Sequence, residues 1–146
     1  MTAVPLPEWR DGTVAILSTV NAGVPHAIPV STAVRGGPRR ALFALAHGRG
    51  SLARLRADPR AALSVVGAGD VAFTARGRAA VVVESLEGAD NVAAVALDVE
   101  RIDDHGRAEF EILDGVRWRW LDEAAERRDA QVRATLRAFA SGARTS

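Results

Sequence analysis

Apolar and β-branched residues come in short runs along the first hundred positions, each closed by a turn signal, and only the last third changes to a helical spacing. The run "TVAILSTV" (13–20), bounded by "NAG" at 21–23, predicts a strand. In the next run, "VPHAIPVSTAV" (24–34), Pro25 and Pro29 cannot donate to a ladder, so an edge or bulged strand is expected, paired with the first as a hairpin. "RGGPR" (35–39) predicts a turn and "RALFALA" (40–46) another strand. "GSLARLRA" (50–57) has helical composition, with Ser51 as the expected N-cap and Leu52 and Leu55 on one face. Asp58-Pro59 stops it, because the residue before a proline avoids the α region.

"AALSVVG" (61–67) then predicts a buried strand, and "DVAFTARGRAAVVVESL" (70–86) a long strand or two, kinked near Gly77. "NVAAVALDVERIDD" (91–104) and "RAEFEIL" (107–113) predict a final hairpin turned at "DHG", with Phe110 and Ile112 on its buried side. From Asp122 onward Val132, Leu136 and Phe139 recur at i, i+4 and i+7, Asp122 is placed to cap, and Gly142 lies beyond the end. "RRDAQVR" (127–133) is expected on the solvated side of that helix. The pattern predicts one mainly β domain over 1–146. It is a small antiparallel barrel of six to seven strands, with a short helix after the third strand and an amphipathic C-terminal helix at about 122–140.

Composition narrows the chemistry. The chain has 146 residues, 48% of them hydrophobic and 25% charged, as befits a globular domain with its own core. It has no cysteine, which excludes disulfides, thiolate zinc sites and thiol nucleophiles. His26, His47 and His105 are far apart in sequence, so no metal site is expected. Neither a signal peptide nor a membrane span is visible, and a cytoplasmic location is expected. All 19 basic residues are arginine, so Schiff-base chemistry and a P-loop lysine are excluded. The net charge of +1 conceals a first part (1–60) at +5 and a remainder (61–146) at −4. With few aromatics for base stacking, that basic part points away from nucleic acid and toward a small anionic ligand.

Four places carry candidate chemistry. At Arg49, Ser51 and Arg54, a helix start after a strand offers free backbone N–H groups, a hydroxyl and guanidinium groups. It is either a phosphate cradle or an ordinary capped helix. "AIPVST" (27–32) ends an apolar strand with short polar residues, suited to a flat ligand's edge or simply leaving the core. His26 and His47 titrate near neutrality but lack a hydroxyl–carboxylate set, so neither is assigned to catalysis. Trp118 and Trp120, alternating with Arg117 and Arg119, suit a ring or phosphate contact, or packing in the core or against a partner subunit.

Taken together, "VAILSTVNAGVPHAIPVS", "ALFALA", "GRGSLARLRADPRAAL" and "ARGRAAVV" resemble the pyridoxamine 5′-phosphate oxidase-like, or flavin-binding split-barrel, family over roughly residues 10–85. The resemblance implies a Greek-key-like split β-barrel that forms a homodimer, with two cofactors at the subunit interface. It implies an oxidoreductase using FMN, or in one branch the deazaflavin coenzyme F420, on a small-molecule substrate; a non-catalytic flavin-binding module is the other outcome. Carried onto this chain, Arg49, Gly50, Ser51 and Arg54 hold the cofactor phosphate. Pro29, Val30 and Ser31, with Ala46 and His47, line the ring, and Trp118 or Arg119 reaches the partner subunit's cofactor. The histidine and arginine pattern by which the true oxidases bind substrate is not evident near the C-terminus, so the substrate stays open.

Overall fold

The structure, a computed structural model, describes residues 4–142. Strands β1 (Ala15–Asn21) and β2 (Val24–Val30) form the expected hairpin. Its two-residue turn has positive φ at both Ala22 (52°) and Gly23 (78°), a twist that matches the flanking strands. There follow β3 (Val34–Gly37), β4 (Arg40–Ala46), helix α1 (Gly50–Ala57), β5 (Arg60–Gly67), β6 (Val71–Val83), β7 (Val92–Asp104) and helix α2 (Glu123–Gly142). All seven strands join one antiparallel sheet in the order β2-β1-β5-β6-β7-β4-β3. β2 is an edge, which is where Pro25 and Pro29 cost no ladder bond. Consecutive β4 and β5 are separated by the β6–β7 pair, giving the Greek-key-like course of a split barrel.

The sheet curls around one core, to which alternate residues contribute Leu17, Phe43, Leu63, Phe73, Val95 and Leu97, with Leu52 and Leu55 of α1 packed against them. The opposite side of β3, β4 and β7 carries a second layer. There Val34, Leu42, Ala94 and Ala96 pack on Val132 and Leu136 of α2. β4 and β7 are thus covered on both sides, which is why "ALFALA" and "VAAVAL" are apolar throughout rather than alternating. The kink in β6 is a register shift between Arg76 and Gly77. A Cβ on Gly77 would lie 1.9 Å from the Asp98 carbonyl oxygen, so only glycine fits that crossing.

Two expectations are corrected. Residues 24–34 are not one strand: the chain bends at Ser31–Ala33, where Thr32 Oγ1 accepts the Ala44 N–H at 3.0 Å, and β3 begins at Val34. The short helix therefore follows the fourth strand, not the third. Residues 107–113 do not form a strand, although β7 beyond Asp98 is paired with a strand on one side only, by β6. The segment instead crosses the end of the β5–β6 hairpin, its Ile112 N–H bonding Asp70 Oδ1 at 2.6 Å. It then returns to the start of β1, where Val14 N–H bonds the Val116 carbonyl at 2.7 Å. Phe110 is half exposed as a result. Among the described residues no helix is long and apolar enough to cross a membrane.

Candidate functional site: a cleft between the barrel edge and α2

The site starts at the junction of β4 and α1. Arg49, in extended conformation, is the N-cap residue of α1, not Ser51, and makes no side-chain cap bond. No acidic residue lies in the first turn either, so the helix itself supplies no carboxylate to its free N–H groups or to the positive end of its dipole. Ser51 is one residue inside the helix and buried. Its Oγ has Arg54 Nη2 at 3.5 Å, too long to be more than a weak bond. The Arg54 guanidinium folds back over the helix start, where Gly50 leaves room for it: a Cβ there would come within 3.0 Å of Nη1. Arg54 Nε is buried and has no hydrogen-bond partner among the described residues. A buried unpaired donor of that kind is costly, and an anion arriving at the helix start would relieve it.

Beside this junction lies an open cleft of about 400 Å³. Pro29, Val30 and Ser31 from the end of β2 and Ala46 from the end of β4 form one side, and Arg49 reaches it from the cap of α1. Trp118 and Trp120, edge to face at 5.8 Å and 69°, stand on another. Six of the eleven residues that the resemblance assigns to the cofactor, Pro29, Val30, Ser31, Ala46, Arg49 and Trp118, thus meet around one cavity. The remaining five do not line it. Gly50, Ser51 and Arg54 sit behind Arg49 in α1, and Arg119 borders a shallower hollow with Trp120, Leu121 and Asp122. His47 is exposed and its Nε2 lies 2.6 Å from the Glu84 carbonyl, which can only accept, so Nε2 carries the proton.

The third wall is α2, capped by Asp122, whose Oδ1 accepts the Ala124 N–H at 2.9 Å. Ala125, Arg128, Asp129 and Val132 face the cleft. Ser31 Oγ donates to Asp129 Oδ1 at 2.8 Å, and Asp129 Oδ2 is ion-paired with Arg133. Arg133 also pairs with Asp11 (3.2 Å), as does Arg137. Burial alone would raise the Asp11 carboxyl, but the Arg137 hydrogen bond and the charges of Arg133 and Arg137 outweigh it and hold it below its ordinary value. Residues 127–133 are therefore not simply a solvated face: the side chains of Asp129 and Arg133 are only 11% and 14% exposed. The missed signal is the stripe Asp129–Val132–Arg133–Leu136, spaced i, i+3, i+4, i+7, which puts an ion pair on the same face as the apolar anchors.

Chemically the cleft offers flat apolar surface, two hydroxyls (Ser31 and Thr32), two arginines with no acidic partner among the described residues (Arg49 and Arg128) and one carboxylate already neutralised by Arg133. None of the histidines lines it, and among the described residues no group of histidine and acidic side chains could hold a metal ion. Its lining thus places flat apolar surface next to hydroxyl and guanidinium groups.

No curated protein sequence matches the chain. Among solved structures it is similar to an F420 reductase (14% identity, 63% of this chain and 90% of that one, TM-score 0.54). It is also similar to an FAD-binding protein from Mesorhizobium loti (14% identity, 62% and 83%, TM-score 0.52) and to General Stress Protein 26 from Bacillus anthracis (13% identity, 73% and 90%, TM-score 0.54). At these identities the likeness concerns the fold. The profile of the family described as "Pyridoxamine 5′-phosphate oxidase" matches residues 7–137, nearly the whole of the chain and all the elements that build the cleft, and the chain belongs to that family.

Proposed function

We propose that the protein is a flavin-binding oxidoreductase whose cofactor is FMN, with the phosphate at the start of α1 and the ring in the adjoining cleft. The observation that carries this reading is the continuity of the two: Arg49 both caps α1 and lines the cleft, next to the unpaired, buried Nε of Arg54. The phosphate fits that set, since the first-turn N–H groups, Ser51 Oγ and two guanidinium groups are donors without an acid beside them. Bound FMN supplies hydride or electron transfer, for which the cleft's own side chains have no substitute. Pro29, Val30 and Ala46 present flat apolar surface, and the two tryptophans shield the cleft from water on one side. Similarity to proteins named for FAD and for F420 supports a flavin-type ligand.

F420 is the second reading, favoured by Arg128, a further cation on the cleft wall that an acidic tail would satisfy. The family also supports a homodimer. Its subunits would meet across the exposed Ile16 and Val66 on the outer side of β1 and β5, and sedimentation of the purified protein tests this against a monomer.

FMN and riboflavin titrations followed by flavin fluorescence test the cofactor assignment. Replacing Arg49 and Ser51 together with alanine removes at least one charge-assisted phosphate contact, so FMN affinity falls by about tenfold or more while riboflavin affinity is unchanged. Unchanged FMN affinity would overturn the phosphate assignment. A wild-type protein that binds F420 and not FMN would replace the first reading with the second.

A further inference from the structure

Ser31 and Thr32 are neighbours in sequence and both line the cleft, yet their hydroxyls face opposite demands. A hydroxyl has one proton to give and two lone pairs with which to accept. Ser31 Oγ gives its proton to Asp129 Oδ1 at 2.8 Å. That carboxylate is ion-paired with Arg133, and an ionised carboxylate only accepts, so the direction of the bond is fixed. Thr32 Oγ1 instead accepts the Ala44 N–H at 3.0 Å, and among the described residues its own proton has no acceptor. Ser31 is 7% exposed, and the Asp129 and Arg133 side chains are nearly as covered, so water does not scramble the arrangement.

We propose that Asp129 is a positioning residue: it holds Ser31 as an acceptor toward the cleft, beside Thr32 as a donor. The pair then recognises adjacent N–H and C=O groups on one edge of a ring, the pattern of a cyclic imide. The inference rests on the flavin reading in so far as FMN is the ligand presenting such an edge, but it assigns a role to α2 that binding of a phosphate and a flat ring does not require. Asp129→Asn is the informative change, because it keeps the shape and alters the polarity. Arg133 needs an acceptor, so the amide turns its oxygen to Arg133 and its NH2 to Ser31. Ser31 then accepts from the amide, and its own proton is released toward the cleft.

The probe pair is FMN and N3-methyl-FMN, which lacks the imide proton, titrated by fluorescence against wild type, Asp129→Asn, Ser31→Ala and Ser31→Thr. One neutral hydrogen bond is worth up to about tenfold in affinity. Wild type and Ser31→Thr are expected to prefer FMN over its N3-methyl form by about tenfold. In Asp129→Asn and Ser31→Ala that preference drops to about threefold or less. A variant that merely loosens α2 weakens both ligands alike, so a wild-type ratio in Asp129→Asn overturns the proposal. So does a wild-type protein that binds both ligands equally. If wild type binds neither ligand, the flavin reading itself fails and this assignment falls with it.

Discussion

Gly77→Ala should destabilise the protein by about 3 to 4 kcal/mol. A Cβ at this position would lie 1.9 Å from the Asp98 carbonyl oxygen, 2.9 Å from its carbon and 3.1 Å from Val99 Cα. All three are backbone atoms, so no side-chain rotation relieves the clash, and β6 and β7 must separate by roughly an ångström where they cross. Overpacking a core side chain costs about 1 to 3 kcal/mol. Here the displacement also strains ladder bonds on both sides of the bulge, at about 1 kcal/mol each. Urea unfolding followed by circular dichroism and tryptophan fluorescence measures the change. Trp9, packed at a tilt against Phe73 with ring centroids 5.7 Å apart, reports on β6 a few residues from the bulge. Gly48→Ala is the control: a Cβ there meets nothing within 4 Å and φ is not positive, so its effect should stay within about 0.5 kcal/mol. A loss under about 1 kcal/mol for Gly77→Ala would refute the argument, because the bulge would then be free to open.

Leu136 is fully buried beneath α2, so Leu136→Ala should cost about 3 kcal/mol in the same assay and weaken FMN binding by loosening the wall that carries Asp129. Leu121→Ala, at a position 95% exposed, should leave stability unchanged. Asp58 titrates at about 2 rather than 3.8, chiefly because the Arg60 side chain hydrogen-bonds its carboxylate. Folding therefore favours the ionised form: the stability it lends is present above 3.8 and lost as pH falls toward about 2. Asp58→Asn should flatten the dependence of unfolding stability on pH across that window and leave the slope near neutrality as it is; an unchanged acid slope would show that the Arg60 pairing contributes nothing. Because Trp118 and Trp120 line the cleft, flavin binding should quench tryptophan fluorescence, and Trp118→Phe should remove part of the quenched signal.

Most strands were legible because each is bounded by local chemistry: Ala22-Gly23 for the first hairpin, Pro38 before β4, Asp58-Pro59 after α1; β3 was not, since Arg35–Gly37 lie in the strand although "RGGPR" predicts a turn. Where that local logic misled, a tertiary partner decided. "AEFEIL" alternates as well as any strand, but the segment is held by Asp70 of the β5–β6 turn rather than by β7, so alternation there reports only a segment lying half exposed across a hairpin end. Ser51 has the composition of an N-cap, yet α1 begins two residues earlier than a Ser51 cap requires, which turns the hydroxyl inward and leaves Arg49 at the cap.

The candidate site divides along the same line. Its β2, β4 and α1 side follows from residues close in sequence and was readable from them: a proline-bearing strand end, a strand end, and a basic helix start. Its α2 side depends on which face of a long helix meets the barrel. That face mixes an ion pair with Val132 and Leu136, so a hydrophobicity pattern alone assigns Asp129 and Arg133 to solvent. The partition has a consequence for Ser31. Its type and place in the cleft are local, but the direction in which its hydroxyl points is set by a carboxylate 98 residues further along the chain. Hydrogen-bond polarity is thus a property of the docked helix rather than of the strand, and a homologue that kept "IPVS" but carried asparagine for the aspartate of α2 would keep the cleft's shape while freeing that hydroxyl's proton to donate into it.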